Sequence, residues 1–88
     1  MKWTRESIQG ELVTLLGQHT PPGTDITAAS HLVGDLGIDS LGVMEILADI
    51  EDKFHLSIPD TALKDVETVA DVTAAVVSRL EQDGRLEG

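Results

Sequence analysis

Three runs of apolar residues at helical spacing constrain this chain more than anything else in it. Ile8, Leu12, Leu15 and Leu16 fall at i, i+4, i+7 and i+8; Val43, Leu47, Ile50 and Phe54 form a second stripe, and Val69, Val72, Val76 and Leu80 a third. Each run paints one side of a helix. Helices of this length are marginal alone in water, so the three stripes must be buried against one another. The expectation is an all-α fold.

Local signals set the ends of these helices. Thr4 can cap a first helix running from about Arg5 to about Gln18. Thr20-Pro21-Pro22-Gly23-Thr24-Asp25 cannot continue it, and a long irregular loop then reaches Asp39, with Ile26, Leu32, Val33, Leu36 and Ile38 as its apolar anchors. A second helix is expected to start at Asp39-Ser40, with the Asp39 carboxylate capping free amides, and to end near Phe54-His55. Pro59 suits the first position of a short helical turn from Asp60 to Leu63. Thr68-Val69-Ala70-Asp71 reads as a capping box with Asp in place of Glu, opening the last helix. The residues from about Gln82 to Gly88 are polar and contain glycine, which predicts a frayed tail. The architecture expected is a small four-helix bundle in one domain, residues 1 to 88: three principal helices, one short one, and the long loop between the first two.

The second helix has more than a core to serve. At about 100° per residue with Ser40 at zero, Val43, Leu47, Ile50 and Phe54 fall on one narrow stripe with Ile46 beside it. Leu41, Met44 and Ala48 point elsewhere, edged by Glu45, Asp49 and Asp52. Leu41 and Met44 either widen the core stripe or form a second face, apolar at its centre and acidic at its rim, suited to docking a partner.

Charge and composition narrow the partners. A formal net charge of −10 in 88 residues repels nucleic-acid backbones and anionic membrane surfaces and favours basic protein patches. Trp3 and Phe54 are the only aromatics, which leaves no platform for stacking bases. The chain has no cysteine, so it holds no disulfide or thiolate metal site, and a thiol has to come from a prosthetic group. No apolar run is long enough to span a bilayer or to act as an export signal, and the expectation is a cytoplasmic monomer.

No catalytic constellation emerges. Ser40 lies in no Gly-x-Ser-x-Gly elbow, and His19, His31 and His55 fall in loops or at helix ends without the spacing of a base or a metal site. A serine at a helix start is most simply a cap. One placed beside an exposed apolar and acidic face is better suited to being modified than to doing chemistry.

The run Asp35-Leu36-Gly37-Ile38-Asp39-Ser40-Leu41, the close of the helix at Glu51-Asp52-Lys53-Phe54, and Ile58-Pro59-Asp60 after it strongly resemble the acyl carrier protein family. The resemblance implies that Ser40 accepts 4'-phosphopantetheine from coenzyme A through a phosphopantetheinyl transferase, with Asp39 positioning the serine and the transferase's magnesium-bound coenzyme A. It implies acyl groups carried as thioesters and passed to acyl transferases, ketosynthases or acyl/aminoacyl ligases. It places Leu41, Met44, Glu45, Ala48, Asp49 and Ile58 on the partner-binding surface, and Val43, Leu47, Leu63, Val66, Val69 and Val72 around a space for the acyl chain, which on packing grounds could equally be ordinary dry core.

Two physical arguments stand beside the resemblance. A phosphodiester on Ser40 would sit at a helix start, where amides and macrodipole favour negative charge, and Gly37 would let the backbone approach that helix closely. The chain also departs from the housekeeping fatty-acid pattern. Gly42 should cost the helix about 1 kcal/mol relative to alanine, Ala48 is small, and the Asp60 to Leu63 turn carries few carboxylates. These differences point to a dedicated polyketide or specialised lipid pathway. An aminoacyl or peptidyl carrier using the same arm, and an unmodified helical adaptor, remain alternatives.

Overall fold

The computed structural model describes residues 3 to 59 and 66 to 86. Among them are three helices and no strand longer than an isolated bridge: α1, Arg5–Gln18; α2, Ser40–Phe54; and α3, Val69–Gln82. The short turn expected from Asp60 to Leu63 lies outside the described residues.

Each helix starts where a side chain satisfies its first amides. Thr4 and Ser7 cap α1 reciprocally: Thr4 Oγ1 accepts from the Ser7 amide at 3.1 Å, and Ser7 Oγ accepts from the Thr4 amide at 3.0 Å. The Thr68 and Asp71 side chains do the same for α3. At α2, Asp39 Oδ1 accepts from the Gly42 amide at 2.7 Å. Asp71 Oδ2 also accepts the Glu67 amide. The Glu67 and Thr68 amides, then the Thr68 hydroxyl, hold the Asp71 carboxyl below the ordinary carboxylate range.

Helix α1 packs against both α2 and α3. Ile8, Leu12 and Leu16 meet Ile46, Leu47, Ile50 and Phe54 of α2 and Val69, Val72, Val76 and Leu80 of α3 in one core. Burying each aliphatic side chain contributes about 1.5–3 kcal/mol, which the isolated helices lack. The α2 stripe is rotated from the expected one, because Ile46 is buried while Val43 is only half buried at the edge of the first turn.

Leu32, Leu36 and Ile38 pin the α1–α2 connection to the core. Val33, expected as a further anchor, is 64% exposed. The Asp35 and Leu36 amides bond back to the His31 carbonyl, a helix-like turn that puts Leu32 and Leu36 on one side and Val33 on another. The turn closes at Gly37, whose φ is +69° and whose amide reaches the Val33 carbonyl. No atom lies within 4 Å of where a Cβ would stand, so Gly37 is required by its left-handed backbone and not by close approach.

Of the tail expected to fray, the part described, through Leu86, is ordered by a Schellman turn that ends α3. Gly84 has φ +71°, its amide bonds to the Glu81 carbonyl, and the Arg85 amide bonds to the Leu80 carbonyl at 2.8 Å. This reversal sends Arg85 across the end of α2, where its guanidinium donates to the carbonyls of Phe54 at 2.6 Å and His55 at 2.8 Å. The Trp3 amide bonds to the Arg85 carbonyl, Leu86 bridges to Trp3, and the Trp3 and Phe54 rings pack with centroids 4.6 Å apart.

Candidate functional site

Ser40 is the first residue of α2 and is exposed. Asp39 takes the capping role that a serine there most often plays, which leaves the Ser40 hydroxyl without a hydrogen bond among the described residues. The first bond of the helix runs from the Val43 amide to the Asp39 carbonyl at 2.9 Å, so the amides of Ser40 and Leu41 precede the helical ladder. An exposed oxygen and outward amides suit a phosphate ester at this point.

Gly42 has a steric reason that its sequence position hides. A Cβ there would lie 2.8 Å from Ile38 Cγ2 and 3.2 Å from Asp39 Oδ1. Ile38 is buried, so it cannot retreat. Glycine at this position allows the core anchor Ile38 and the cap Asp39 to close on the helix start together.

The second face of α2 is a free surface and does not widen the core. Leu41 is 68% and Met44 58% exposed, and Ala48 lies exposed one turn further on. Glu45 is exposed and Asp49 half exposed on the acidic edge. Ile58, expected on this surface, is instead buried. Its amide donates to Glu51 Oε2 at 3.0 Å, and the Arg79 guanidinium holds the neighbouring Ser57 carbonyl at 2.8 Å, which fixes the connection with Ile58 turned into the core.

The residues expected around an acyl chain separate into two groups. Val43 and Val66 line a cavity of about 340 Å³ with His31, Leu32, Val33, Gly34 and Glu67. Leu47, Val69 and Val72 lie in the continuous core, and Leu63 falls outside the described residues. Glu67 and the 31–34 turn had no sequence signal connecting them to Val43, since they meet only when α3 docks.

Sequence reasoning also missed His19, which closes α1. Its Nε2 lies 3.3 Å from Asp49 Oδ2 and its Nδ1 4.0 Å from Glu45 Oε2. No pattern joins residues 30 apart along the chain. Among the described residues no helix is long and apolar enough to cross a membrane.

Comparison with known proteins agrees with this arrangement. The family model for the phosphopantetheine attachment site matches residues 6–76. The chain is 35% identical over 85 residues to an acyl carrier protein of Rhodococcus erythropolis, covering 96% of this chain and 92% of the relative. It is 44% identical over 57 residues to an acyl carrier protein of an Exiguobacterium species, covering 65% and 72% respectively. It is 36% identical over 84 residues to the meromycolate extension acyl carrier protein of Mycolicibacterium smegmatis, covering 94% of this chain and 84% of that one. The family model covers most of the chain and the Rhodococcus relative matches along nearly its whole length, and the chain belongs to the acyl carrier protein family: a carrier and not an enzyme, with 4'-phosphopantetheine as its covalent prosthetic group.

Proposed function

We propose that Ser40 Oγ is the attachment point and that the protein serves a dedicated lipid or polyketide pathway, not general fatty-acid synthesis. The observation that carries the first part is the exposed Ser40 hydroxyl, left without a hydrogen bond by the Asp39 cap and beside the exposed Leu41 and Met44. The group supplies a terminal thiol that holds acyl cargo as a thioester, the nucleophile that a chain without cysteine lacks.

The chain's own residues provide address and orientation. Asp39 caps α2 through Oδ1, and its Oδ2, with no protein hydrogen bond among the described residues, would help position the serine and the transferase's magnesium-bound coenzyme A. Leu41, Met44 and Ala48 supply the apolar centre of a docking face, and Glu45 and Asp49 steer basic patches of a phosphopantetheinyl transferase, acyl transferase, ketosynthase or ligase. The cavity beside Val43 and Val66 offers partial cover for cargo. Gly42, Ala48 and the likeness to a meromycolate extension carrier support the dedicated pathway.

The test is intact mass spectrometry of the apo chain before and after a transferase and coenzyme A, with peptide mapping. A single phosphopantetheinyl addition on Ser40, absent in Ser40→Ala, is expected. Addition elsewhere, or none to a folded chain, overturns the assignment. Loading with an amino acid but not with malonyl or fatty acyl groups would replace the acyl pathway with an aminoacyl one.

A further inference from the structure

We infer that His19 is a positioning residue of the docking face, holding the Asp49 carboxylate in place beside Glu45 for one basic side chain of a partner enzyme. The inference rests on α2 being the docking helix and assigns a role to a residue of α1.

Glu45 and Asp49 stand one helical turn apart, where like charges repel and two flexible side chains would splay apart. His19 restrains one of the two, Asp49, from outside the helix. Its ring is only 21% exposed, held at the end of α1 by its own amide bond to the Leu16 carbonyl and followed by Thr20-Pro21-Pro22. Nε2 faces Asp49 Oδ2 at 3.3 Å, and Nδ1 faces Glu45 Oε2 at 4.0 Å. With an anionic acceptor at the shorter distance, Nε2 carries the proton and donates.

Asp49 Oδ2 is thereby engaged, while Glu45, facing the unprotonated Nδ1 at 4.0 Å, takes no hydrogen bond from the ring. Asp49 Oδ1 and the Glu45 carboxylate take no protein hydrogen bond among the described residues, and the Glu45 and Asp49 side chains remain 59% and 47% exposed. A basic side chain that reaches the outward oxygen of Asp49 has Glu45 beside it as a second acceptor. Ordering Asp49 beforehand removes a cost that the partner would otherwise bear on binding. Since α1 also packs on α2 through the half-exposed Lys53–Glu11 pair at 3.4 Å, a general effect of loosening the two helices can be measured separately.

The experiment is steady-state modification of the apo chain by a phosphopantetheinyl transferase and coenzyme A, comparing wild type with His19→Ala, His19→Gln, Asp49→Asn and Glu11→Gln. His19→Ala is expected to raise KM about three- to tenfold, the cost of ordering one side chain, with kcat within about twofold. His19→Gln, which can still donate to Asp49, recovers most of that loss. Glu11→Gln leaves KM unchanged. An unaltered KM in His19→Ala, a fall confined to kcat, a glutamine variant no better than alanine, or an equal rise in Glu11→Gln overturns the role of His19 while the docking reading stands. A wild-type chain that is not modified, or a KM indifferent to Asp49→Asn, defeats the docking reading and His19's role with it.

Discussion

Gly42→Ala separates two opposing effects at a single residue. Helix propensity favours alanine by about 1 kcal/mol in a helix interior, and less in the first turn. The added Cβ meets buried Ile38 at 2.8 Å, and such overpacking costs about 1–3 kcal/mol. The steric term wins, so the variant should lose roughly 1 kcal/mol, measured as a lower denaturation midpoint. Asp71 carries a pH dependence of definite sign. Backbone amides of Glu67 and Thr68 depress its carboxyl, so in acid the unfolded chain binds a proton that the folded one resists. Its stabilisation is complete above the ordinary aspartate value and is lost as pH falls through the depressed folded value. Denaturant titrations between neutral and acid pH should therefore give a shallower loss of stability for Asp71→Asn than for wild type. An equal slope would mean that the cap contributes no pH dependence.

Among the elements, α2 depends on its neighbours at both ends. The helix start is held by Asp39 and Ile38, and the last carbonyls by a guanidinium 30 or more residues away. Hydrogen bonds from a charged donor contribute about 1.5–3 kcal/mol, toward the low end where the donor is partly exposed to water. Arg85→Ala should cost about 1–2 kcal/mol and shift the Trp3 fluorescence, since the same turn seats Trp3 on Phe54. Removing residues 85 to 88 should reproduce that loss. A truncated chain as stable as the parent would return the tail to the frayed state its composition suggests.

At the scale of the whole molecule, a net charge of −10 acts on folding and docking with opposite signs. Self-repulsion among carboxylates is screened by salt, with a Debye length of about 10 Å at 0.1 M and about 3 Å at 1 M. Raising salt should therefore raise the melting temperature. The same screening weakens attraction to a basic partner, so KM for modification should climb over the same range. Both trends come from one charge distribution, and melting curves and initial rates across a salt series read them directly. A melting temperature independent of salt would show that the carboxylates are too dispersed to oppose compaction.

The sequence by itself determined the features that rest on caps, breakers and helical period, although the local contact of Gly42 with Ile38 and the turn that exposes Val33 escaped it. The three helices begin and end where their caps and breakers place them, the Thr68–Asp71 box forms, and Asp39 caps α2 and leaves Ser40 free. The 3.6-residue period set Leu41 and Met44 off the main stripe but left open whether they widen the core, which their exposure decided. Only the tertiary structure decided that His19 reaches Asp49, that Arg85 closes α2, that Ile58 turns inward, and that Val43, Val66 and Glu67 surround one cavity. Those contacts depend on how far apart the helix axes settle and where each connection re-enters the core. Side-chain packing across distant segments fixes both, and no local periodicity encodes it.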